Sequence, residues 1–194
     1  MANVALLVEG NLDDTVARKI AQFSGHNPTV TYGRRGFGYV RTSIGAFNNT
    51  AAGTPLFAIA DSMDMPEPCP PVTIVALLPN PHPNTRFRLA VREIESWLLA
   101  DHINIARFLG VPQSRIPPLP DTILDPKQEL IALARTSSKP AVIRLLVPKP
   151  GHRGTEGPGY TSELQSFVTH HWDIAAAQAR SPSLHRCVLA LSTL

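Results

Sequence analysis

Cysteine is scarce in this chain. Its two cysteines, Cys69 and Cys187, build no disulfide framework, which suits a reducing, cytoplasmic setting. The Asn48-Asn49-Thr50 sequon is expected to stay unmodified there. Aromatic residues make up only 6%, so broad stacking platforms for bases are not expected. No apolar run approaches the ~18–20 residues that a membrane-spanning helix needs. Met1-Ala2-Asn3 lacks the basic stretch and cleavage site of a secretory leader, so no signal peptide is expected. A Walker A loop is missing, which excludes ATP binding by that route. Nucleophile elbows are absent too. The seven histidines are scattered, and the adjacent pair His170-His171 diverges on a helix, so they make no zinc pattern.

What the chain has is core material. Hydrophobic residues make up 43% of its 194 positions and charged residues 17%, enough for a packed domain and too apolar for global disorder. Net charge is +3. Residues 1–110 balance nine basic against nine acidic side chains, and residues 111–194 hold nine against six, so the excess is C-terminal. Arg outnumbers Lys fourteen to four, and Arg is the better bidentate partner for phosphate. This permits nucleic-acid binding without demanding it.

Val4 to Val8 is a short continuous apolar run, as in a buried strand of a parallel sheet. Asn11 then reads as an N-cap with Asp13 and Asp14 in the first turn, and Leu12, Val16, Ile20 and Phe23 form a helical stripe ending at Gly25. Thr29 to Tyr32 reads as a second strand, Gly33 to Gly38 as a flexible basic loop, and residues 41–52 as a helix. Leu56 to Ala60 is a third strand that delivers Asp61 at its end. Met65 to Pro71 holds four prolines and reads as loop. Val72 to Leu78 is strand-like in composition, while a crossover between parallel strands asks for a helix there. Alternation of Phe87, Leu89 and Val91 with arginines predicts a strand over 86–92, followed by a helix from about 94 with a break at Asp101. Residues 111–124 read as a Pro-rich loop and 149–159 as a mobile basic one. Further helices are expected at 126–135, at 160–171 and after the Ser181-Pro182 cap. The rhythm predicts a mostly parallel α/β sheet over residues 1–110, with a helical C-terminal extension, 111–194, packed on it.

Ligands of such sheets bind at the carboxyl ends of the strands, and that is where this sequence places acids. Glu9 ends the first strand. Asp61 ends the third, with Asp64 three residues on, and Glu93 and Glu95 follow the fourth. If these strands are adjacent, the carboxylates converge, and they repel one another unless a cation joins them. Hard divalent cations take such oxygen ligands, and metal-assisted phosphoryl transfer is the matching reaction class.

Leu7-Val8-Glu9-Gly10 followed by an acid-headed helix resembles the opening of the Toprim fold of topoisomerases, primases and OLD-type nucleases. Leu89-Ala90-Val91-Arg92-Glu93-Ile94-Glu95-Ser96-Trp97-Leu98-Leu99-Ala100-Asp101 is similar to the signature of a Toprim-like family, domain of unknown function 4276. Gly157-Pro158-Gly159-Tyr160, Trp172-Asp173 and Arg180-Ser181-Pro182-Ser183-Leu184 resemble that family's end, so the likeness runs over nearly the whole chain. The resemblance implies a Toprim-like domain with Mg²⁺- or Mn²⁺-dependent chemistry, often beside an ATPase partner in bacterial, phage-defence-like settings. Toprim proteins carry a glutamate after the first strand, matched by Glu9, and an Asp-x-Asp pair after the third. Here the spacing is Asp61-Ser62-Met63-Asp64, one residue longer than that pattern.

The expected catalytic set is therefore Glu9, Asp61, Asp64 and Glu93, with Glu9, Asp61 and Asp64 as metal ligands. Glu93 and Glu95 lie two apart and cannot share one helical face, so one of them is expected at the site and the other paired with Arg92. Trp97 reads as core. Arg34 and Arg35 in their Gly-rich loop, and Lys149 and Arg153 in the C-terminal one, are the candidates for holding phosphate or nucleic acid. Against the nuclease reading stands a non-catalytic Toprim-like subunit that binds an ATPase or another protein, and more weakly a small-molecule phosphohydrolase.

Overall fold

The computed structural model describes residues 2–63, 69–151 and 153–194. Asp64, one of the expected ligands, and most of the Met65–Pro71 segment lie outside the described residues. The chain alternates β1 (Asn3–Val8), α1 (Asn11–Phe23), β2 (Asn27–Gly33), α2 (Phe37–Asn49), β3 (Leu56–Asp61), α3 (Pro70–Leu77) and β4 (Thr85–Ala90). The four strands form one sheet in the order β2-β1-β3-β4, and every pairing is parallel. Among the described residues seven α-helices follow: α4 (Glu95–Ala100), α5 (His102–Leu109), α6 (Pro126–Arg135), α7 (Pro140–Leu146), α8 (Tyr160–His170), α9 (Ile174–Gln178) and α10 (Pro182–Leu191). This is the α/β class expected, a parallel sheet flanked by helices with a helical C-terminal part.

Composition explains the strand order. β1 and β3 are apolar on both faces and almost wholly buried, as central strands must be. β4 is an edge strand, and it alternates buried Phe87 and Leu89 with half-buried Arg86 and Arg88. On one face of the sheet Leu7, Ala58 and Leu89 pack with Val40 and Ile44 of α2. On the other, Leu6, Phe57 and Ile59 share a larger core with α1 and with Trp97, Phe167 and Leu184 from the later helices. Arg86 ties α10 to β4 by donating to the Ala190 and Thr193 carbonyls, each at 2.8 Å. Lys19 of α1 donates to the Val168 carbonyl of α8. Among the described residues no helix is long and apolar enough to cross a membrane.

Several local expectations are corrected. The segment at 72–78, ambiguous in sequence, belongs to helix α3 through Leu77, with Leu78 as its C-cap, because joining the parallel strands β3 and β4 requires a crossover. Pro70 and Pro71, expected in a loop, open that helix, where a missing N–H costs nothing. Gly10 rather than Asn11 occupies the N-cap of α1, and α2 starts at Phe37, inside the expected basic loop. β4 stops at Ala90, and Arg92 turns into the left-handed region with φ of 67°. The break at Asp101 is as read: its side chain accepts the Asn104 N–H and caps α5. Trp97 is fully buried.

Candidate carboxylate site

Because β1, β3 and β4 are neighbours, their carboxyl ends share one edge of the sheet. Glu9 follows β1 directly, Asp61 is the last residue of β3, and the turn at Arg92 sets Glu93 and Glu95 beside them. That turn is held by two bonds to the end of β3: the Arg92 N–H donates to Ser62 Oγ at 2.7 Å, and the Met63 N–H donates to the Arg92 carbonyl at 2.9 Å. A left-handed non-glycine residue costs on the order of 1 kcal/mol or more, so the turn persists because these bonds define it.

Asp13, Asp61, Glu93 and Glu95 wall a cleft of about 230 Å³ together with Lys127 and Tyr160, and Glu9 lies just behind its lining, next to Gly10. The Asp61 N–H donates to Glu9 Oε1 at 2.7 Å, so Glu9 braces the end of β3. The Lys127 N–H, at the start of α6, donates to Glu93 Oε2 at 2.8 Å. Tyr160 Oη donates to Glu95 Oε1 at 2.9 Å. Asp61 Oδ1 is buried with no hydrogen-bond partner among the described residues.

Electrostatics follow from this crowding. Burial, then the charges of Asp13, Glu95, Glu9 and Glu93, hold the Asp61 carboxyl well above the usual carboxylate range. Burial, then Glu93, pushes Glu95 up to about 7. Burial also raises Asp13. Among the described residues Lys127 is the cation of the cleft wall. Burial alone would lower it, but its pairing with Glu156 and the nearby glutamates raise it on balance. Its ammonium also stands 5.0 Å from the centre of the Tyr160 ring.

The structure thus brings Glu9, Asp61 and Glu93 to one edge. Asp13 and Glu95 join them without having been chosen from the sequence. Asp13 had a signal: it stands four before Ala17 and seven before Ile20, on the buried stripe of α1. Its carboxylate packs so close to Gly10 that a Cβ there would lie 2.9 Å from Oδ2. Glu95 heads a helix whose every residue is buried, an unusual place for a carboxylate without a task or a partner. Arg92 was expected to pair with one of the glutamates; its guanidinium donates to the Leu124 carbonyl instead, at 2.9 Å.

The basic candidates stand apart from the cleft lining. Arg34, at φ of 62°, reaches Asp14 at 3.7 Å, although its loop adjoins the site through the Gly36 N–H, which donates to the Glu9 carbonyl at 2.9 Å. Arg35 lies over the Tyr39 ring at 5.4 Å. Lys149 and Arg153 are exposed between α7 and α8.

The donor chemistry suits a hard divalent cation: Asp13, Asp61, Glu93 and Glu95 bring carboxylate oxygens to the cleft, and Asp61 Oδ1 lacks a partner among the described residues. Among the described residues, no three acidic, histidine or cysteine side chains are already disposed to hold one ion. Glu9, Glu93 and Glu95 direct oxygens to protein donors instead. No family model, no curated protein and no solved structure matches this chain.

Proposed function

We propose that the chain is a Toprim-like, Mg²⁺- or Mn²⁺-dependent phosphoryl-transfer protein that cleaves nucleic acid, in the phage-defence setting that the resemblance implies and the cytoplasmic one that its scarce cysteine suits. The observation that carries this reading is the convergence of acids from three adjacent strand ends on Asp61, whose buried Oδ1 has no partner. Asp61 and Glu9 would hold the cation, with Asp13 and Glu93 at its flank and Asp64 as the further ligand expected from sequence. A bound cation would neutralise a phosphate and lower the pKa of a water molecule. Glu95, held by Tyr160 and pushed up to about 7, suits proton transfer near neutral pH. Lys127 is the wall residue to meet phosphate oxygens, and the loop of Arg34 and Arg35 adjoins Glu9 through the Gly36 N–H.

Calorimetric titration with Mg²⁺ and Mn²⁺ tests the reading, followed by cleavage assays on single- and double-stranded DNA and on RNA. Saturable binding and cleavage, both lost in Asp61→Asn, support it; cleavage retained by Asp61→Asn and Glu9→Gln alike overturns the metal assignment.

A second reading, a non-catalytic subunit that binds an ATPase or another protein, is favoured by one observation. An apolar groove of about 610 Å³ runs between α3 and α10, away from the carboxylates. This reading expects no cleavage with any divalent cation.

A further inference from the structure

Among the described residues β4 pairs with β3 alone, so its outer edge carries backbone groups outside the ladder. The Leu56 N–H donates to the Asn84 carbonyl at 2.9 Å and the Ser62 N–H to the Ala90 carbonyl at 3.0 Å, so even-numbered positions face β3. By the alternation of a strand, Thr85, Phe87 and Leu89 then turn their backbone groups outward. The Thr85 N–H is satisfied by the His82 carbonyl at 2.8 Å. The Thr85 and Phe87 carbonyls receive Nη1 of Arg86 and Arg88, at 3.1 and 3.3 Å. The N–H groups of Phe87 and Leu89 and the Leu89 carbonyl meet no partner among the described residues.

This edge forms the floor of the groove between α3 and α10, which continues along the strand into a second hollow of about 300 Å³ reaching Thr85 and Phe87. A six-residue strand spans about 20 Å, so an extended occupant fits the long dimension. The two walls differ in chemistry. Ile74 and Val75 of α3 are apolar, and Val75 is 62% exposed. The α10 side carries Leu189 and Ala190 together with Arg186, and Arg88 reaches the groove from β4. Among the described residues no acid lines either hollow. Arg88 Nε is buried without an acceptor, and neither Arg88 nor Arg186 forms an ion pair among the described residues.

We propose that this groove binds an extended, acidic peptide segment of a partner protein as a fifth strand on β4. Side chains of an added strand alternate between faces, so its apolar residues pack on α3 while its carboxylates meet Arg88 and Arg186. Backbone bonds to Phe87 and Leu89 give affinity, and the arginines give selectivity, as in other strand-addition sites. A small ligand would not need the open ladder; a peptide uses both the ladder and the arginines.

The test uses a fluorescein-labelled peptide of alternating valine and aspartate, seven residues long, and its valine–lysine counterpart. Anisotropy titration is expected to show saturable binding of the acidic peptide and at least tenfold weaker binding of the basic one. Val75→Asp and Arg186→Glu, both at exposed positions, are expected to weaken the acidic peptide at least fivefold with an unchanged circular dichroism spectrum. Bound peptide is expected to slow exchange of the Leu89 amide at least tenfold. Equal binding of the two peptides, no saturable binding, or unaltered Leu89 exchange overturns the proposal. A peptide-free dimer that is lost in Val75→Asp assigns the groove to a second copy and overturns it too. Asp61→Asn is expected to bind the acidic peptide like the parent chain, so failure of the metal reading is read separately.

Discussion

Glu95 couples the site to the stability of the chain. Its carboxyl is raised from 4.5 to about 7 in the fold, first by burial and then by Glu93. The folded state therefore favours the proton. This contribution to stability is complete below about pH 4.5 and is lost as pH rises through about 7. The full span amounts to about 3 kcal/mol at 1.36 kcal/mol per unit. Glu95→Gln keeps an acceptor for Tyr160 and removes the charge, so its melting temperature relative to the parent is expected to rise between pH 5 and 8 in the presence of a chelator. Scanning calorimetry across that range checks it, and a pH-independent difference would contradict the linkage. Asp61→Asn is expected to behave in the same direction, stabilising the metal-free chain at pH 8 by relieving repulsion from Asp13, Glu95, Glu9 and Glu93. Its melting temperature in chelator measures this, and a fall at pH 8 would mean that the carboxylate serves the fold. Asp61 and Glu9 were legible in the sequence because strand ends announce themselves. Asp13 and Glu95 were less so, because their roles depend on which helix face meets the sheet, and that is decided by packing.

Asp101 shows what a single residue does for two elements. Buried between α4 and α5, it accepts the Asn104 N–H at 3.3 Å, Asn104 Nδ2 at 2.9 Å and the Asp173 N–H at the head of α9 at 2.8 Å. Asp101→Ala leaves two backbone donors without an acceptor, a loss of roughly 2–4 kcal/mol from one cap and one charge-assisted bond. Chemical denaturation should show a lower midpoint with an unchanged slope, and Asp101→Asn should recover part of the loss; equal midpoints would show that water replaces the carboxylate. The break at this position was readable because an acid interrupts an apolar helical run. The helices α7 and α9 were not, since at seven and five residues they carry too few turns to establish a period. The identity of α3 turned on connection geometry: its apolar composition suits a strand, and only the parallel pairing of β3 with β4 excludes one.

At the scale of the molecule, one apolar core joins the sheet to the C-terminal helices, running from Val4 in the central strand to Leu191 in the last helix. Polar contacts cross the same junction. Trp97 Nε1 donates to Ser183 Oγ at 2.7 Å, and Trp172 Nε1 donates to the Trp97 carbonyl at 3.2 Å. Both tryptophans are buried at that seam, so their fluorescence reports on the docking of the helices onto the sheet. Far-ultraviolet circular dichroism reports on secondary structure throughout. A shared core makes partial unfolding costly, because separating the helices would expose Leu6, Phe57 and Ile59 on the sheet as well as their partners. The two signals are therefore expected to trace one denaturation curve. Trp97→Phe shrinks the buried indole to a phenyl ring and leaves the Ser183 hydroxyl without this donor, and it should lower the common midpoint, with a loss of roughly 2–4 kcal/mol of stability, while Trp172 still reports. If fluorescence falls at lower denaturant than circular dichroism, the helical part undocks before the sheet unfolds. Residues 1–110 would then be a unit that stands without its extension.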